Sequence, residues 1–63
     1  MALYTFYLCY PDGDAGSFMT FDLHSEDEAP ALALKMLRDH PACAYVQAWQ
    51  GARLVLTQHA LAR

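Results

Sequence analysis

Two acidic residues in a glycine-containing loop, Asp12 and Asp14, have a spacing that resembles part of a metal site. Alternate acids of this kind begin the calcium loop of an EF hand, which then requires a third oxygen ligand, a glycine and a glutamate at fixed later positions. Here those positions hold Gly16, Ser17 and Leu23, which do not fit the pattern. We therefore interpret the segment as a solvated hairpin turn and predict no metal site.

The histidines and cysteines are the other groups able to carry out chemistry. His24, His40 and His59 are far apart in the sequence and have no acid or nucleophile at an interpretable spacing. Cys9 and Cys43 lack the close spacing of a zinc or redox pair. The sequence also contains no nucleophile elbow and no glycine-rich phosphate loop. We therefore predict that the protein is not an enzyme and has no catalytic residue and no cofactor.

The composition favours a protein that binds another surface. The chain has 63 residues, of which 56% are hydrophobic and 17% charged, whereas about a quarter of the residues in a typical soluble domain are charged. We predict a single domain over residues 1–63, near the lower size limit for a self-sufficient core. The net charge is −3, and the strong bases are scattered, which disfavours binding to a phosphate backbone. These bases are Lys35, Arg38, Arg53 and Arg63.

The N-terminal segment does not have the features of a signal peptide or a membrane span. It lacks a basic first region, and its apolar run ends at Pro11, far short of the roughly 20 residues that a spanning helix needs. We predict a cytoplasmic protein that does not bind membranes.

The hydrophobic period changes along the chain from 2 to 3.6 and back to 2, which predicts the order β-β-α-β-β. The predicted strands cover residues 2–10, 18–23, 42–49 and 53–57, and a glycine turn at Gly51 joins the last two. The predicted fold class is α+β, a four-stranded antiparallel sheet in the order 2-1-3-4 with one helix on one face.

The helix is predicted to begin at a capping box formed by Ser25 and Glu28, and to end by His40. Pro30 conflicts with a regular start at Ser25, so either the first turn is irregular or the regular helix begins near Ala29. Five apolar residues have the spacing of a helix that lies on a sheet. They are Ala29, Leu32, Ala33, Met36 and Leu37.

Three strand registers give one consistent apolar set under the helix, as a specified sheet requires. We predict that Leu8 pairs with Met19 and that Trp49 pairs with Arg53. The third pair is Cys9 with Cys43, which we expect to be free buried thiols rather than a disulfide.

The opposite face of this sheet is apolar and aromatic, with charged residues at its margins. It is predicted to carry Leu3, Thr5, Tyr7, Cys9, Phe18, Thr20, Tyr45, Gln47, Trp49 and Val55, with Asp22, His24 and Arg53 at the rim. Aromatic, Thr and Gln side chains with charges at the rim are typical of the core of a protein–protein interface. We expect an interaction face formed by Tyr7, Phe18, Tyr45, Gln47, Trp49 and Val55, with a cation–π contact between Arg53 and Trp49.

The leading functional hypothesis is a small interaction or regulatory module that forms a homodimer through this face, with an unidentified protein as another possible partner. A second hypothesis is a binder of small apolar ligands at the dimer interface. A binder of single-stranded nucleic acid is a third, disfavoured by the net charge. The remaining interpretation is that these aromatics are ordinary half-exposed strand residues.

The chain resembles very small bacterial proteins of β-β-α-β-β layout that are grouped as domains of unknown function. The similarity lies in residues 4–6, the Asp12-Gly13 hairpin, residues 21–23, the start of the helix at Glu28-Ala29, and residues 46–55. Pro30 departs from the pattern. The resemblance implies the same fold and no activity.

Overall fold

The computed structural model of the chain describes residues 2–11 and 15–60. Asp12 and Asp14, at which the sequence resembles a calcium loop, lie outside these residues. The described elements are β1 (Ala2–Cys9), β2 (Ala15–Leu23), a 3-10 turn (Glu26–Glu28), α1 (Ala29–Asp39), β3 (Tyr45–Gln50) and β4 (Arg53–His59). Relative to the predicted bounds, β2 begins three residues earlier, β3 begins three residues later and β4 extends to His59.

The four strands form an antiparallel sheet in the order β2-β1-β3-β4. The helix α1 connects β2 to β3 and contacts β3 and β4 on one face of the sheet. The predicted α+β fold, with its β-β-α-β-β order and its strand order, is confirmed.

The helix begins in two steps, because Pro30 cannot donate a backbone hydrogen bond inside a continuous helix. The hydroxyl of Ser25 accepts a hydrogen bond of 3.1 Å from the backbone N–H of Asp27, and a 3-10 turn follows. The regular helix then starts at Ala29 and places Pro30 in its first turn, where proline is tolerated. The predicted capping box is wrong in detail, because Ser25 caps Asp27 rather than the third helical residue.

Small side chains let the helix lie close to the sheet. Ala29 and Ala33 on α1 and Ala48 on β3 are completely buried, and their short side chains leave little to separate the two backbones. The hydrophobic core lies between α1 and the sheet. Its buried members are Tyr4, Phe6, Leu8, Leu23, Ala29, Ala33, Met36, Cys43, Val46 and Ala48.

Two of the predicted strand registers are displaced by two residues. Met19 lies opposite Phe6 instead of Leu8, and Cys9 lies opposite Tyr45 instead of Cys43. Side chains alternate with a period of two along a strand, so this displacement leaves the side chains of β1, β2 and β3 on their predicted faces.

The third register is wrong by one residue next to the turn and by two residues beyond it, and the one-residue error changes which side chains face each way. Leu56 lies opposite Ala48 and Leu54 lies opposite Trp49, so Val55 is an extra residue that forms a β-bulge in β4. Val55 packs against the core, whereas Leu54 lies on the opposite face. Arg53 pairs with Gln50 on the helix side of the sheet.

Arg53 connects this end of the sheet to the start of the helix. Its guanidinium donates hydrogen bonds to Glu26, at 2.8 Å, and to Gln50, at 2.6 Å. The hydrogen bond and charge of Glu26 raise the pKa of Arg53. The predicted cation–π contact with Trp49 is therefore replaced by contacts on the other face.

The turn between β3 and β4 depends on a glycine. Gly51 has a φ of 60° and no described residue other than glycine has a positive φ, as expected of a two-residue turn with glycine in first place. We expect Gly51→Ala to lower the free energy of unfolding by about 1–2 kcal/mol, because an alanine in this conformation is strained. A Cβ at Gly51 would meet no atom within 4 Å, so the loss reports backbone strain alone. Urea unfolding measures it, and an unchanged midpoint would contradict the turn geometry.

Candidate functional site

The face of the sheet turned away from α1, called here the open face, is defined by the strand registers. Three rows of side chains cross it. The first row is Phe18, Tyr7, Gln47 and Thr57, the second is Thr20, Thr5, Trp49 and Leu54, and the third is Cys9, Tyr45 and His59, with Leu3 and Asp22 completing the face beside the second row.

Large apolar side chains are exposed on the open face. Phe18 is 61% exposed, Leu3 57% and Leu54 44%. Among the described residues, the other large hydrophobic side chain that is exposed is Leu34, at 38% on the helix. The exposed apolar surface is therefore concentrated on the face that no element of the described chain covers.

The charges of the described residues lie mostly on the other side of the molecule. Acidic side chains follow one another in the 3-10 turn, and Lys35 forms an exposed ion pair of 3.5 Å with Asp39 on the helix. On the open face the described residues offer Asp22 on β2 and the ionisable His59 on β4, near opposite corners. The surface between them carries polar groups but no charge.

A depression lies near the centre of the open face, between β1 and β3. Its volume is about 460 Å3, and Thr5, Tyr7, Gln47 and Trp49 surround it, with Cys9 on one side. Tyr7 lies directly opposite Gln47, and Thr5 lies directly opposite Trp49. The two rings therefore occupy one diagonal of a square and the two polar side chains occupy the other. The turn residues Gly51 and Ala52 also line the depression.

The third row brings together three ionisable side chains. The rings of Tyr45 and His59 are 5.5 Å apart with an interplanar angle of 40°. The negative charge of an ionised Cys9 thiol is the largest cause that raises the pKa of Tyr45 above its ordinary value. The hydrogen bond between the two side chains raises this pKa further. Tyr45 therefore stays neutral through the physiological pH range, and its hydroxyl acts as a hydrogen-bonding group.

The two cysteines do not face each other. Cys9 lies on the open face and Cys43 lies in the core, where its sulfur is 3.2 Å from the backbone carbonyl oxygen of Cys9 and 3.0 Å from that of Tyr45, so its single proton can be donated to either. Both are free and buried. The predicted pairing of Cys9 with Cys43 is wrong, because Cys43 precedes β3 and Tyr45 takes the position opposite Cys9.

The structure places five of the six predicted interaction residues on the open face, namely Tyr7, Phe18, Tyr45, Gln47 and Trp49. Val55 does not belong there, since the bulge turns it towards the core. The sequence reading missed Leu54, which lies opposite Trp49 where Arg53 was expected, and His59, which it left outside β4. Residues 54–56 are apolar and residues 57–59 are polar, so no alternation indicated that β4 reaches His59 or that it contains a bulge.

Comparisons of the chain with protein-family models, with curated protein sequences and with solved structures found no match. The resemblance to small bacterial proteins therefore stays a prediction, and the open face is interpreted from its own residues. Among residues 2–11 and 15–60, no helix is long and apolar enough to cross a membrane. The same residues contain no group of three His, Cys, Asp or Glu side chains placed to hold a metal ion.

Proposed function

We propose that this protein is a small, non-enzymatic interaction module that forms a homodimer through the open face. The observation that carries the proposal is the placement of Leu3, Phe18 and Leu54, three exposed apolar side chains, on one uncovered surface. Exposed apolar patches of this extent usually mark interaction sites. The cytoplasm is the proposed compartment, in keeping with two unpaired cysteines.

The size of the open face matches the area that a stable dimer needs. Four strands about 4.8 Å apart, each about 20–30 Å long, give a face of roughly 400–500 Å2 in projection. Side chains that stand on this face raise its accessible area to about 600–800 Å2, so two copies would bury roughly 1,200–1,600 Å2. This total lies in the range of specific protein–protein interfaces.

The charge distribution favours a second copy of the chain as the partner. Because the middle of the open face carries no charge, two identical faces can meet without repulsion between like charges. A twofold interface also requires one self-complementary patch on each chain, and the open face is a single patch without a charge at its middle. A partner recognised by charge would instead be expected to meet the acidic helix side.

Phe18→Glu is expected to weaken the dimer at least about thirtyfold, because it places a charge within the buried patch. Phe18 is 61% exposed in the single chain, so the substitution leaves the folded monomer intact. Sedimentation equilibrium at micromolar concentration measures the effect, with the wild type expected at the mass of two chains and the variant at the mass of one. Circular dichroism verifies that the variant is folded.

Leu34→Glu is the matched control, since Leu34 is exposed on the helix. It is expected to leave the dimer mass unchanged. A wild-type mass of one chain at micromolar concentration would remove the homodimer proposal. Equal effects of Leu34→Glu and Phe18→Glu would place the interface elsewhere.

A further inference from the structure

We propose that the depression between β1 and β3 is a binding site for a planar, uncharged ring compound that carries an amide or lactam edge. The inference goes beyond the homodimer, because it assigns a ligand to a depression that a second copy on the open face would cover. Its volume of about 460 Å3 lies within the usual range for small-molecule sites, roughly 300–1,000 Å3.

The spacing of the two aromatic side chains suits one inserted ring. Tyr7 and Trp49 are diagonal neighbours on adjacent antiparallel strands, and such positions are about 7–8 Å apart. Stacked carbon atoms make contact at about 3.5–4.0 Å. Two contacts of this length add up to about 7–8 Å, so strand positions at the diagonal spacing can carry two rings with one flat ring between them.

Neighbouring groups hold both walls of the depression in place. The Tyr7 ring packs on its outer side against Phe18, with ring centroids 5.8 Å apart. Trp49 is the second-last residue of β3, next to the tight turn whose Gly51 and Ala52 close that end of the depression. Walls held before binding reduce the entropy lost when a ligand is ordered.

The polar side chains define the edge that a ligand must present. The hydrogen bonds among the described residues leave the Gln47 amide without a partner. Its carbonyl accepts and its NH2 group donates, which matches the donor and acceptor of an amide or lactam. The Thr5 hydroxyl adds one more donor or acceptor. No charged residue lines the depression, so a charged ligand would lose its hydration without compensation.

Benzamide is the probe, and Trp49 is the reporter because it is the single tryptophan of the chain. We expect benzamide to change the Trp49 fluorescence along a saturable curve. Cyclohexanecarboxamide, which lacks the flat ring, and benzoate, which is charged, are each expected to bind about tenfold more weakly. A linear change equal to that of free N-acetyltryptophanamide would overturn the proposal, because it would show collisional quenching alone.

Gln47→Leu tests the role of the amide edge. We expect it to weaken benzamide binding about tenfold, since the amide of the ligand would be left without partners. Gln58→Leu is the matched control, because Gln58 lies opposite Val46 on the other face, and it should leave binding unchanged. Equal binding by wild type and Gln47→Leu would contradict the proposed site. The mass of each sample, measured in parallel, separates this result from the dimer, because a second copy on the open face would cover the depression. Saturable binding by a wild type that is a single chain at micromolar concentration removes the dimer alone. Absence of saturable binding by samples diluted until they are single chains removes the site alone.

Discussion

Phe6→Ala is expected to lower the free energy of unfolding by about 3–5 kcal/mol, the usual cost of removing a buried phenylalanine. Phe6 is completely buried on the central strand β1 and packs edge-on against Phe21, with ring centroids 5.7 Å apart. A domain of 63 residues has a total stability of about 3–9 kcal/mol. The substitution therefore removes a large part of the total stability, and urea unfolding followed by circular dichroism measures the loss.

Two further variants make this result specific. Phe21→Ala, on the half-buried outer partner, should cost less, and the double variant should cost less than the sum by about 0.5–1.5 kcal/mol because one aromatic pair is lost only once. Leu34→Ala removes an exposed side chain and should change stability by no more than about 0.5 kcal/mol. A Phe6→Ala loss as small as that of Leu34→Ala would contradict the position of the core.

The helix and the order of the strands could be predicted because their signals are redundant. Ala29, Ala33 and Met36 repeat at helical spacing and are all buried. Pro30 alone indicated that the helix could not begin regularly at Ser25, and the 3-10 turn is the way in which the chain meets that restriction. In such cases, several residues independently require the same local structure.

The strand registers were less well determined, because a displacement by two residues preserves the apolar pattern. Pairing Leu8 with Met19 satisfies the same pattern as the observed pair of Phe6 with Met19. A second bulge contributes here, since Gly16 is an extra residue of β2 between the partners of Leu8 and Cys9. A Cβ at Gly16 would overlap the Tyr10 ring, so the close packing of this ring, rather than any pattern of hydrophobicity, requires a glycine at this position.

The bulge at Val55 could not be predicted from the residues. A bulge can be recognised in a sequence when it contains a glycine with positive φ. Among the described residues only Gly51 has such a φ, and it lies in the turn and not in the bulge. Leu54, Val55 and Leu56 are all apolar, so the pattern does not show which of them face the core. The prediction of the open face was therefore correct for β1, β2 and β3 and wrong for β4, where Leu54 and not Val55 lies on this face.

The bulge in turn determines what the open face can bind. With Leu54 opposite Trp49, an exposed apolar side chain lies on the β4 side of the Trp49 position. With Arg53 directed to Glu26, no cation lies beside the Trp49 ring among the described contacts. An uncharged apolar partner or ligand is consistent with this arrangement, whereas a phosphate backbone would require cations beside the rings.

Deleting Val55 is expected to leave the chain folded, because the deletion removes the extra residue and retains every other pair between β3 and β4. Leu56 would stay opposite Ala48 and Leu54 would stay opposite Trp49, in a regular ladder. The cost should be about 1–2 kcal/mol for the lost half-buried side chain. Circular dichroism and urea unfolding measure the outcome.

Deleting Gln47 is the matched comparison, since it also removes one residue but from a regular part of β3. It would turn the remaining residues on one side of the deletion to the opposite face, taking either Val46 or Ala48, both completely buried, out of the core. We expect this variant to be unfolded at 25 °C. If the two deletions were equally harmful, Val55 would be a regular member of its strand, and the predicted register, in which Val55 lies opposite Gln47 on the open face, would hold instead.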